Sequence, residues 1–288
     1  MKPVKPATSF EEQIERLRKK RIVIADESSC LDFLKQVNYY RLSGYYLPYM
    51  DRGRNKCFKP TPFDRITGAY YFDAELRALL LSTIETIEIF LRSQIANYHS
   101  VKYGPEGYLD SNSFNVSFDH VSFLSRVEQC KKDNRKSHVI MHHQKEYGGH
   151  FPLWTIIEYF SMGMLSYFYA GMENKDKAYL AVSLFGVNYQ SVESWLRCLT
   201  DLRNCCAHYS RLYYRKFSAL PKMPDGYSYV PTRRLFAQLY VLKLLYPSSR
   251  DWNVEFVEPL CEIVGKYKDR IILKHLDFPE DWSEQLNR

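Results

Sequence analysis

The 288-residue sequence has no CxxC pair and no spacing of His, Cys, Asp and Glu that fits a metal site. Its seven cysteines, at positions 30, 57, 130, 198, 205, 206 and 261, are odd in number and unpatterned. That argues against a disulfide framework and for reduced thiols, so a cytoplasmic protein with no metal and no cofactor is expected. The N-terminal stretch MKPVKPATSFEEQ lacks the apolar core of a secretory signal. Strand-like alternation is weak throughout, and there is no internal repeat or low-complexity tract. With 45% hydrophobic and 25% charged residues, the composition is that of a globular chain and excludes general disorder.

Long uncharged runs are also scarce. Only WTIIEYFSMGMLSYFYAGM, residues 154–172, resembles a membrane span. Glu158 lies within it, and a carboxylate near a bilayer centre is costly. The stretch therefore reads as a buried central helix of a bundle, with no membrane partner.

What is abundant is helical periodicity. Thr61 and Pro62 read as an N-cap and first-turn pair. Leu76, Leu80, Ile84, Ile87, Leu91 and Ile95 then recur at helical spacing. Further helices are expected over 119–147, ending near Gly148 and Gly149, and over 154–172, 189–214, 231–246 and 253–270. Two short helices, 9–21 and 28–37, precede NYYRLSGYYLPYM, which Gly44 and Pro48 are expected to break. The fold class is all-α: a helical bundle with additional N- and C-terminal helices. Residues 1–60 form an N-terminal segment packed on a core at 61–220, and 221–288 supply C-terminal helices.

The formal net charge is +7, which favours an anionic partner. Basic residues cluster at Arg16, Arg18, Lys19, Lys20 and Arg21, at Arg52, Arg54, Lys56 and Lys59, and at Arg211, Arg215 and Lys216. Aromatics reach 16%, with 24 tyrosines, and some lie near these clusters. Basic groups mixed with rings suit RNA, through phosphate contacts and base stacking. Arg41, Tyr45, Arg215 and Lys216 are the expected RNA contacts. Arg41 has a second reading, as an anchor for the N-terminal segment.

The stretch DLRNCCAHYSR, residues 201–211, carries the sharpest chemistry. On a helix over 189–214, Val192, Trp195, Leu196, Leu199 and Cys206 form an apolar stripe. Arg203 falls inside it, which calls for a partner. Glu158, the only charge in 154–172, is the expected one. Glu88 and Arg92, at i and i+4, read as a structural pair. Asn204, His208, Arg211 and Arg215 follow at i, i+4, i+7 and i+11 and make a second, polar face. Imidazole titrates near neutrality and serves as acid or base. Guanidinium holds phosphate oxygens bidentately and stays charged. This set suits metal-free RNA cleavage. A second Arg-to-His spacing, Arg270 to His275, lacks the polar residue after arginine and reads as chance. His138 and His142 stand one turn apart, and two histidines alone rarely make a metal site.

RNCCAH followed by YSR resembles the R-N-x-x-x-H motif of HEPN-domain ribonucleases. NYYRLSGYYLPY, FPLWTIIEYFSMGMLSYFY and the long helix FDAELRALLLSTIETIEIFLRSQIANY resemble segments of the AbiD/AbiF-like abortive-infection (Abi) proteins of bacteria. The likeness spans roughly residues 8–250. It implies a HEPN-like core over 61–220, metal-independent endoribonuclease activity and antiphage defence. The catalytic residues it implies are Arg203, Asn204 and His208; Glu158 and Arg211, read from pairing and helical spacing, are expected to support them. It also implies a homodimer with two motifs facing one site, and RNA as substrate or as a small structured partner in a toxin–antitoxin arrangement. A non-catalytic RNA-binding protein, the protein half of a toxin–RNA pair, is the alternative. A third reading makes the cluster a stabiliser of its helix in a protein-interaction scaffold.

Overall fold

A computed structural model describes residues 4, 6–51 and 53–287. Arg52 of the second basic cluster, and residues 1–3 and 5 of the N-terminal stretch, lie outside the described residues. The architecture is all-α, with only two-residue strands beside the helices.

The chain opens with α1 (Phe10–Lys19), started by a capping box in which Ser9 and Glu12 each accept the other's backbone N–H. Helices α2 (Glu27–Gln36) and α3 (Tyr39–Tyr46) are capped by Asp26 and Asn38. Gly44 does not break α3. It instead leaves room for a side chain that crosses the helix, described below. Pro48 falls in a single 3₁₀ turn, Leu47–Tyr49.

Helix α4 (Phe63–Tyr103) is the spine of the molecule, 41 residues and about 60 Å long. It begins one residue later than expected. Thr61 and Pro62 pair in parallel with Ile22 and Val23, and Pro62 itself is the cap. All six residues of the periodic stripe from Leu76 to Ile95 are buried. Gly104, with φ of 86°, ends the helix.

The expected helix over 119–147 is two: α5 (His120–Asp133) and α6 (His138–Glu146), separated by a turn at 134–137. The apolar stretch 154–172 is also divided. α7 (Leu153–Ile156) passes into a 3₁₀ turn at Ile157–Tyr159, and the backbone extends at Phe160. Ser161 then caps α8 (Met162–Gly171) by accepting from Met164 N. The serine at the cap offsets part of the cost of the break by accepting the Met164 N–H that the interruption leaves without a helical partner. Arg92 of α4 holds the break open, donating to the Phe160 carbonyl at 2.8 Å. Among the described residues no helix is long and apolar enough to cross a membrane.

Helix α9 (Asn174–Phe185), not anticipated from the sequence, ends on left-handed Gly186. α10 (Tyr189–Ala207) packs on α8, α4 and α9. After it the chain runs irregularly to α11 (Leu235–Leu245). This strap lies along α10: Trp195 Nε1 donates to the Lys222 carbonyl at 2.9 Å, and Asp201 accepts from Ser218 N at 2.9 Å. α12 (Ser249–Trp252) continues through a π-helical turn, Asn253–Val257, into α13 (Glu258–Tyr267) against α4, and α14 (Trp282–Leu286) follows. One buried cluster takes in residues from Ile14 to Leu286, so the N-terminal, central and C-terminal segments share a single core.

His99 of α4 is fully buried between Tyr103, Phe114 and Phe168, with both ring nitrogens unpartnered. Burial pushes its pKa down to about 4. At pH 7 the ring is neutral in both folded and unfolded chains. Below about 6.5 the unfolded chain takes up a proton that the folded chain accepts only near 4. Stability is therefore expected to fall by about 3 kcal/mol between pH 6.5 and 4 on account of this residue. Asp73, also fully buried on α4, is pushed up to about 6 by burial and titrates with the opposite sign, stabilising the fold as pH falls. Urea unfolding of the parent and of His99→Leu across this range separates the two: the variant should lack the acid loss that His99 causes. Equal slopes would mean that the imidazole is solvated.

Candidate functional site

Helix α10 stops at Ala207, seven residues earlier than its periodicity suggests. The end is a Schellman turn. Ser210 N donates to Cys205 O at 2.8 Å, and Tyr209 N donates to Cys206 O at 3.0 Å. The left-handed position of such a turn usually holds glycine. Here it is Tyr209, with φ of 53°, a conformation that costs an L side chain roughly 1–2 kcal/mol.

Distant residues hold the turn in place. Arg41 of α3 donates to the Tyr209 carbonyl. Arg77 of α4 donates to the Ser210 carbonyl at 3.3 Å. Asp73, one turn before Arg77, accepts from Leu212 N at 2.7 Å, from Tyr213 N at 2.9 Å and from the Tyr45 hydroxyl at 3.0 Å. Arg77 Nη1 stands 3.7 Å from the same carboxylate. A buried anion is thus surrounded by donors, and the segment after α10 is riveted to the spine.

On this platform the motif side chains are left free. Arg203 is half-buried, and Asn204 and His208 are exposed. Among the described residues none of the three side chains has a hydrogen bond, ion pair or ring contact. All lie within the last turn and a half of α10, and His208 is its C-cap, its N–H donating to the Asn204 carbonyl at 3.1 Å. Cys205 and Cys206 between them are buried. Burial raises both thiols, Cys206 to about 12. They are therefore packing groups, not nucleophiles.

Several expected site residues lie elsewhere. Glu158 does not reach Arg203. The 3₁₀ turn that ends α7 puts it on the outside, 3.5 Å from Arg92 Nη1, with a side chain more than half exposed. Such a pair contributes about 0–1 kcal/mol. Arg92 also pairs with Glu88 at 2.5 Å, as the i, i+4 spacing indicates. Arg211 and Arg215 follow the end of α10 and so do not extend its polar face. Arg211 lies across α3, where a Cβ on Gly44 would meet its Nε at 3.0 Å, and it donates to the Tyr213 carbonyl at 2.7 Å. Burial pushes this guanidinium below the usual arginine value. Arg215 is half-buried beside the Phe217 ring, at 5.7 Å, while Lys216 is exposed. Tyr45 is fully buried and offers no face to RNA. Arg41 takes the anchoring role. The first basic cluster is partly neutralised, since Arg18 pairs with Glu15 at 2.6 Å and with Glu27.

Asp73 and Arg77 were not singled out from the sequence, although a signal existed. Both fall on the apolar stripe of α4, at 73, 77, 80 and 84, where an acid and a base four apart call for partners. His138 and His142 sit on α6, and no group of three or more His, Cys, Asp or Glu able to hold a metal occurs among the described residues.

No curated protein and no solved structure matches the chain. Residues 32–214, more than half of its length, match the family described as Abi-like protein. That segment runs from α2 through α3, α4 and the motif to the turn that Asp73 holds. On this match the chain belongs to the Abi-like protein family.

Proposed function

We propose that the chain is a metal-independent endoribonuclease of HEPN type, acting in abortive-infection defence, with Arg203, Asn204 and His208 as its catalytic groups. The family points to that biological setting. One observation carries the chemistry: three polar side chains suited to phosphate and proton transfer stand, among the described residues, without intramolecular partners at the end of a helix whose following turn is held by distant residues. Polar groups left without partners on a fixed backbone are available to a ligand.

In this reading Arg203 holds the scissile phosphate and neutralises the charge that grows on it. His208 moves a proton, taking it from the 2′-hydroxyl or giving it to the 5′-oxygen. Asn204 hydrogen-bonds the phosphate or orients the imidazole. One histidine supplies either acid or base, and cleavage uses both. A homodimer with an isologous interface brings a second motif to the same phosphate and completes the pair. The net charge of +7 assists RNA capture.

The test is incubation of the purified protein with total RNA in EDTA, followed by analysis of fragment ends and of oligomeric state. Cleavage with 2′,3′-cyclic phosphate ends, by a dimer at micromolar concentration, is expected. Dependence on added metal would remove the acid–base mechanism, and an active monomer would remove the composite site. RNA bound but never cut would favour the non-catalytic reading, a protein half of a toxin–RNA pair.

A further inference from the structure

Tyr209 is out of place by local rules. It occupies the left-handed position of the Schellman turn, where glycine has no steric cost and asparagine little. The residue is 68% exposed, so packing does not account for it. Among the described residues the ring touches no other ring, and its hydroxyl makes no hydrogen bond. The backbone on both sides is fixed, however. Tyr209 N is held by Cys206 O, Tyr209 O by Arg41, Ser210 N by Cys205 O and Ser210 O by Arg77. The result is an aromatic side chain presented to solvent from a fixed backbone, next in sequence to His208. Strain of this kind persists where the surrounding structure over-determines it, and it clusters at functional sites.

From this geometry we propose that Tyr209 is a stacking platform for an unpaired nucleobase beside the phosphate held at Arg203 and His208. The inference rests on the ribonuclease reading and adds a substrate class to it, RNA that is single-stranded at the cut. With the backbone fixed before binding, only the rotamer freedom of the side chain is lost when a base stacks on the ring. Every base has a π-face, so the subsite tolerates sequence while rejecting bases that are already paired. Left-handed backbone tolerates Tyr209→Asn, which keeps the turn and removes the ring.

The experiment uses the full chain carrying His208→Ala, so that RNA is not consumed. Binding of fluorescein-labelled single-stranded RNA and of a hairpin duplex is measured by anisotropy, with Tyr, Phe or Asn at position 209. Asn is expected to weaken single-strand binding about 5- to 100-fold. Phe should bind within about twofold of Tyr, because stacking needs the ring and not the hydroxyl. Duplex binding should be unchanged by either. Melting temperature should not fall in Tyr209→Asn, which relieves strain. Unchanged single-strand affinity in the Asn variant, with wild-type cleavage intact, overturns the stacking role alone. A parent that binds no single-stranded RNA overturns both this role and the ribonuclease reading.

Discussion

Replacement of His208 by alanine is expected to lower RNA cleavage by about 10²–10⁴-fold, the usual contribution of a positioned proton-transfer group. The loss should be confined to chemistry. His208 is exposed, and its side chain makes no hydrogen bond, ion pair or ring contact among the described residues, so stability should change by no more than about 0.5 kcal/mol. The N–H that caps α10 belongs to the backbone and survives the substitution. On the ribonuclease reading RNA affinity comes mainly from salt-dependent phosphate contacts, and it should remain within a few-fold of wild type. Arg203→Ala should lose cleavage and affinity together, because on that reading the guanidinium holds both the ground-state phosphate and the charge that develops on it. Single-turnover cleavage, thermal melting and RNA binding of the three proteins separate these effects. Cleavage by His208→Ala at the wild-type rate would take the imidazole out of the mechanism.

The largest effect on the fold is expected at Asp73. Its carboxylate is fully buried and accepts from Leu212 N, Tyr213 N and the Tyr45 hydroxyl, with Arg77 beside it. Alanine there leaves these buried donors without an acceptor and a nearly buried arginine without its counter-charge. Removing one partner of a buried pair costs about 3–5 kcal/mol. Asp73→Asn retains one acceptor oxygen and the side-chain volume, and should cost less than alanine. Both variants should also cleave RNA poorly at temperatures where they are folded, because the segment from Ser210 to Tyr213 is what fixes the end of α10. Urea unfolding of the two variants checks the order and the size. A loss below about 1 kcal/mol in Asp73→Ala would show that water replaces the carboxylate and that the turn holds itself.

The amino-acid sequence by itself determined the helical class, the face of each long helix that is buried, and the chemical identity of the motif. Leu76 to Ile95 on α4, and Val192 to Cys206 on α10, are buried as their spacing dictates, because apolar periodicity is a local property and burial follows it. The tertiary structure decided where helices stop and whom the charges meet. Periodicity carried α10 on to residue 214, but contacts from Arg41, Arg77 and Asp73, which lie 168, 133 and 139 residues from their partners, bend the chain after Ala207. Tyrosine at the left-handed position gives no glycine-like stop signal, so that end was illegible locally. The same holds for Glu158, whose pairing with Arg92 depends on the break at Phe160, and for Tyr45, which turns inward to Asp73 instead of outward to RNA. A charge in a sequence states that a partner is needed. Which partner it finds is fixed only when segments far apart in the chain are packed together, and that packing also sets Arg203, Asn204 and His208 free at the surface.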